Sequence, residues 1–130
     1  MTGITGLGGV FVKAANKEDT ANWYRDNLGL ALEPYGGINF GWRNEEDPSR
    51  KGYSLFFVFK KDTDYFGETS GPAMINFRVE NLDAYLAQLR QAGVTVIDKI
   101  EDGEYGRFGW IEDPEGMRIE LWEPPEGQRG

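Results

Sequence analysis

The sequence predicts an α+β fold made of two tandem βαβββ modules, about residues 8–60 and 73–124, within one domain spanning 1–130. Three observations carry this. Two helical segments each follow an alternating apolar run, each helix stops at a glycine, and a Phe-Gly-Trp sequence recurs after each.

The first helix is expected over Lys17–Leu28. Asn16 stands at its N-cap, Ala21, Tyr24 and Leu28 share a face, and Gly29 ends it. The second is expected over Leu82–Ala92, with Asn81 as N-cap, a stripe of Leu82, Tyr85, Leu86 and Leu89, and Gly93 as the stop. Val10–Ala14 and Met74–Val79 read as the strands before them. Each helix leads into an apolar strand, and Ile38–Arg43, Tyr53–Lys60, Arg107–Glu112 and Met117–Glu123 read as the later ones. Asn39–Trp42 echoes Arg107–Trp110, and Val12-Lys13-Ala14 before Asn16 echoes Phe77-Arg78-Val79 before Asn81. Lys60–Pro72 reads as the connection between modules, and Pro124–Gly130 as a frayed tail.

Alternation along each strand separates two faces. Val10, Val12 and Ala14, Leu55, Phe57 and Phe59, Ile75, Phe77 and Val79, and Ile119 and Leu121 are apolar and are expected under the helices. The opposite faces are mixed: Phe11 with Lys13; Ser54, Phe56 and Val58; Met74, Asn76 and Arg78; Arg118, Glu120 and Trp122. Aromatic rings combined with a few polar groups are the usual lining of a small-molecule cleft, so these faces are expected to form one.

The chain has 130 residues, no cysteine and no histidine, and 22 acidic against 14 basic side chains, a net charge of -8. A thiolate metal site and a disulfide framework are excluded. The common neutral-pH base is absent, so acid–base work falls to Asp, Glu, Lys or Tyr. The acidic balance argues against a nucleic-acid partner. No apolar run is long enough to span a bilayer and no signal-peptide pattern is visible, so a cytoplasmic location is expected, away from membranes.

Three further features carry less. Asp62, Asp64 and Glu68 lack calcium-loop spacing. Gly6-Leu7-Gly8-Gly9 precedes a strand and opens no helix, unlike a phosphate loop. Trp42 and Trp110 recur with the repeat and read as packing between modules, with a place flanking the cup mouths as the alternative.

Residues 8–124 resemble the glyoxalase/bleomycin-resistance/dioxygenase (vicinal oxygen chelate) superfamily. Val10–Lys13 followed by Trp23-Tyr24-Arg25-Asp26-Asn27-Leu28-Gly29-Leu30 is similar to its first module. Met74–Leu89 with Gly93-Val94 is similar to its second. Asp113-Pro114-Glu115-Gly116-Met117-Arg118-Ile119-Glu120-Leu121-Trp122 is similar to its closing hairpin. The resemblance implies a glyoxalase-like cup of curved sheet. In metal-dependent relatives the cup holds one divalent ion on the first and last strand of each module. Carried over, the ligand positions fall near Gly9 and Met74 and at Phe56 and Glu120. Only Glu120 suits a hard cation.

The resulting expectation is a metal-free, cofactor-free cup that binds a small organic ligand through Phe11, Lys13, Phe56, Met74, Asn76, Arg78, Arg118 and Trp122. Glu120 is the central carboxylate. A lyase- or isomerase-type enzyme with Glu120 as general base is the alternative, and a metal-dependent lyase or dioxygenase is the third reading. Lys13, Arg78 and Arg118 are expected to neutralise Glu120 and hold its pKa down. Because related cups are often completed across a dimer, a two-fold homodimer is expected.

Overall fold

The computed structural model describes residues 3–67 and 71–128; Glu68 and the chain's last two residues lie outside them. Seven strands and two helices follow in the order β1 (Ile4–Ala14), α1 (Lys17–Leu28), β2 (Gly37–Arg43), β3 (Lys51–Lys60), β4 (Ala73–Val79), α2 (Leu82–Gln91), β5 (Thr95–Gly103), β6 (Gly106–Glu112) and β7 (Arg118–Glu123). The strands form one curled sheet in the order β2-β3-β1-β4-β7-β6-β5.

Both helices begin as their sequences dictate. The Asn16 side chain accepts from the Asp19 N–H at 2.9 Å, and Asn81 accepts from Ala84 at 3.1 Å, each satisfying an otherwise unpaired first-turn donor. Gly29 ends α1 in the left-handed region. The second module is a full βαβββ unit. In the first, residues 30–36 carry no strand, so one strand fewer follows the helix than the repeat suggests. Gly36 and Glu33 instead close a turn, with the Gly36 N–H on the Glu33 carbonyl at 2.8 Å.

The modules meet at β1 and β4, which pair antiparallel. Inside each module the first strand pairs parallel with the last: β1 with β3, β4 with β7. Under α2, Val79, Leu82, Leu86 and Leu121 form a buried core joined by Phe77, Ile111 and Ile119. On the concave face a second core gathers Phe11, Phe66, Met74 and Trp110.

Two segments read as loose are held. Phe66, in the inter-module connection, is 1% exposed. In the C-terminal tail Pro124 is buried, and the Gln128 carbonyl accepts from the Arg78 guanidinium.

Candidate functional site: a cup with one buried carboxylate

The curl of the sheet encloses a cavity of about 450 Å³. Its walls are aromatic: Phe11 from β1, Tyr53, Phe57 and Phe59 from β3, Phe108 from β6 and Trp122 from β7, with Tyr35, Tyr65 and Tyr105 from connecting segments. The polar side chains among the walls, apart from the tyrosine hydroxyls, are Asn39, Asn76 and Glu120; among the described residues no lysine or arginine lines it.

Glu120 is 1% exposed. β7 places it beside Asn76 of β4 and opposite Trp110 of β6. Its Oε1 accepts from Asn76 Nδ2 at 2.5 Å, and its Oε2 accepts from Trp110 Nε1 at 3.0 Å and from the Tyr65 hydroxyl. Burial pushes the carboxyl up to about 7, against the three donors, which favour the charged form and pull the other way. The Tyr65 hydroxyl is driven well above its ordinary range by burial first and by the neighbouring Glu120 charge second. It therefore keeps its proton and acts as a donor at any physiological pH.

Among the described residues, no cation neutralises this carboxylate. Lys13 extends its ammonium over the Phe66 ring at 5.0 Å from the centroid. Arg118 lies against Gly67, where an added Cβ would stand 2.7 Å from its Nε. Arg78 turns away across the sheet, its guanidinium between the Trp42 and Trp122 rings at 4.9 Å from each centroid. It donates to the Tyr53 carbonyl at 2.8 Å. Burial lowers its pKa, and among the described residues it has no ion-pair partner. The expectation that these three cations hold the Glu120 pKa down is overturned: they lie elsewhere, and burial decides the direction.

The other expected residues divide. Phe11, Asn76, Glu120 and Trp122 line the cavity. Met74 is on the same face but packed beneath the floor, fully buried. Phe56 is on the other face: its ring meets Tyr24 of α1 at 5.0 Å, while Leu55, Phe57 and Phe59 face the cavity. The expectation for β3 was one residue out of step, which exchanges both faces at once. The run Leu55-Phe56-Phe57-Val58-Phe59 is apolar throughout, so alternation carries no information there.

Two contributors were not singled out as site residues. Trp110, read as packing, supplies an indole donor to Glu120; a tryptophan directly opposite a buried acid was the available signal. Tyr65 sits in the connection and had no periodic signal at all. Trp42 does pack between modules, against Arg78.

A divalent ion does not fit these residues. An added Cβ at Gly9 would stand 2.2 Å from the Leu55 carbonyl oxygen, so no ligating side chain has room there. Met74 is enclosed by Phe11, Phe66 and Trp110. Both Glu120 oxygens already hold donors, and among the described residues no three acidic side chains cluster as a ligand set.

The family model for the Glyoxalase/Bleomycin resistance protein/Dioxygenase superfamily matches residues 10–121. The chain belongs to that superfamily. No curated protein matches it. Among solved structures, methylmalonyl-CoA epimerase from Mycobacterium tuberculosis is similar at a TM-score of 0.64 and 22% identity, covering 94% of this chain and 89% of that one. Streptomyces coelicolor methylmalonyl-CoA epimerase in complex with 2-nitronate-propionyl-CoA reaches 0.68 at 20% identity, covering 94% and 99%. The 2,3-dioxygenase LapB from Pseudomonas sp. KL28 reaches 0.65 at 25% identity, covering all of this chain and 44% of LapB. The epimerase likenesses establish the shared glyoxalase-like fold. No helix of the described residues is long and apolar enough to cross a membrane.

Proposed function

We propose that this superfamily member binds a small, flat, aromatic organic molecule in its cup, without a metal or cofactor. The observation that carries this is the lining: rings from four strands and three connections surround about 450 Å³, with one buried carboxylate among them. A cavity of that size suits a one- or two-ring compound. Burying its apolar faces against Phe57, Phe59, Phe108 and Trp122 supplies affinity, and ring-on-ring geometry adds about 0.5–1.5 kcal/mol per good pair. The CoA esters of the epimerase complexes are a poorer match, because among the described residues no cation lines this cavity to meet a phosphate.

A second reading, proton abstraction by Glu120, draws on its carboxyl near 7, a value suited to a general base. Against it stand the three donors already on the carboxylate and, among the described residues, the absence of a lining cation to hold an oxyanion. Binding without turnover is therefore the reading we adopt.

The protein is further proposed to act as a two-fold homodimer in the cytoplasm. Helix α1 buries none of its residues, and Trp23 and Leu28 are 53% and 56% exposed. That leaves apolar surface to cover. Light scattering at micromolar concentration is expected to return twice the chain mass.

Titration with indole and naphthalene, followed by tryptophan fluorescence and melting temperature, tests the main proposal. Saturable quenching and a raised melting temperature are expected, with cyclohexanol ineffective. Failure of every arene to bind would overturn it. Elemental analysis is expected to find no stoichiometric divalent metal, and one tightly held equivalent would refute the metal-free cup.

A further inference from the structure

Glu120 presents a problem for any ligand. It is the buried carboxylate of the cup, yet both its oxygens are occupied by protein donors. A ligand that reaches it must replace one of them. Asn76 and Trp110 are fixed by strands on either side of Glu120. Tyr65 is different. It comes from the connection between β3 and β4, outside any helix or strand. Among the described residues its backbone N–H is held by the Thr63 hydroxyl alone, at 3.2 Å.

The Tyr65 ring occupies the cup as a bound arene would. It stacks on Phe59, with centroids 5.2 Å apart and planes 12° from parallel, and meets Trp110 edge-on at 5.9 Å. Its hydroxyl then donates to Glu120. The neighbouring Phe66 is anchored in the floor with Phe11, Met74 and Trp110. A ligand taking that place would require Tyr65 to turn out of the cup about its own side-chain bonds while Phe66 stays in the floor.

We propose that Tyr65 is a resident stand-in for the ligand: the ligand is an arene bearing one neutral O–H or N–H donor, and it binds by taking Tyr65's place on Glu120. This rests on the arene-binding reading of the cup. The ligand's ring inherits the contacts of the tyrosine ring, and its donor inherits the carboxylate. Exchange of one phenol-like donor for another leaves Glu120 satisfied throughout, which a buried acceptor requires. An arene without a donor is disfavoured in the exchange, because Oε2 would lose one of its two donors and keep only the Trp110 indole.

The test uses p-cresol against 4-methylanisole, which has nearly the same shape and no donor, with affinities measured by calorimetry at pH 8. Tyr65→Phe removes the competing hydroxyl and leaves a ring. It is expected to tighten p-cresol at least tenfold and to change 4-methylanisole less than twofold. Tyr65→Ala, which empties the slot, is expected to favour p-cresol over 4-methylanisole by at least tenfold, and Glu120→Gln added to either variant is expected to erase the preference. Unchanged or weaker p-cresol binding in both Tyr65 variants, with both probes still bound, overturns the stand-in role and leaves the arene cup in place. If neither probe binds any variant, the arene cup itself fails, and this inference with it. Melting temperatures of the variants confirm that the protein measured is folded.

Discussion

In the first module the parallel neighbours facing the cup are Phe11 and Phe57; at the equivalent place in the second they are Asn76 and Glu120. The backbone is the same, a first strand paired with a last strand, and the chemistry is opposite. The first half offers a mainly aromatic wall, with Asn39 of β2 as its polar lining side chain apart from tyrosine hydroxyls. The other carries the buried amide and carboxylate, with the Arg78 cation two residues along the strand from Asn76. The repeated tryptophans follow the same division. Trp42 donates to the Ser54 hydroxyl at 3.0 Å, and Trp110 donates to the Glu120 carboxylate at 3.0 Å. A duplicated fold thus supplies symmetric positions, and side chains make the site one-sided. In the proposed complex, rings from both halves grip the ligand and the second half supplies the buried carboxylate that orients it.

The strongest way to break this comparison is to make the halves alike. Phe11→Asn puts a polar group at the equivalent of Asn76 with no acid opposite, since its neighbour is Phe57. The lost ring and the unpaired amide together are expected to cost about 3–5 kcal/mol in denaturant unfolding. A cost under about 1 kcal/mol would mean the first module tolerates polarity and the asymmetry is incidental.

Glu120 offers a pH test whose sign is fixed. Its folded pKa of about 7 lies above the ordinary 4.5, so between these values the folded state binds more protons than the unfolded one. Stability from this group is therefore greatest at low pH and falls as pH rises from about 4.5 through 7, by on the order of 3 kcal/mol. Glu120→Gln has no proton to lose. Its stability relative to the parent is expected to rise across that window, and a constant difference would show that Glu120 titrates normally.

Arg78 ties the halves together, reaching from β4 to the Tyr53 carbonyl on β3 and to Trp42 on β2. Arg78→Met keeps some of the packing and removes the charge-assisted donors, at an expected cost of about 2–3 kcal/mol. The absence of a counter-ion among the described residues moderates that loss, since the variant also relieves a buried charge with no ion-pair partner among them. Digestion of the C-terminal tail should quicken in this variant, because the Gln128 carbonyl loses its donor.

The smallest effect separates the two tryptophans. Trp110→Phe is expected to cost about 1.5–3 kcal/mol at pH 8, where Glu120 is charged, and less at pH 5. Trp42→Phe loses a bond to a neutral hydroxyl, costing about 0.5–1.5 kcal/mol with no pH dependence in that range. Equal costs at both pH values would remove the functional distinction between the repeats.

By itself the sequence determined the module order, the helix boundaries and the polar composition of the second module's inner face. Asn caps, glycine stops and the alternation of Met74–Val79 and Arg118–Glu123 are local signals, and local signals are readable because they depend on neighbours in the chain. Tertiary structure alone decided three things. It chose which face of β3 enters the cup, because a run apolar on both sides takes its orientation from what packs against it, here Tyr24 on Phe56. It brought Tyr65 from the connection and Trp110 from β6 to the same carboxylate oxygen, a meeting across 55 and 10 residues of chain. And it raised the Glu120 pKa. Three nearby cations in the sequence suggested neutralisation, but whether an acid meets a cation or is desolvated among rings depends on the direction side chains take once the sheet curls.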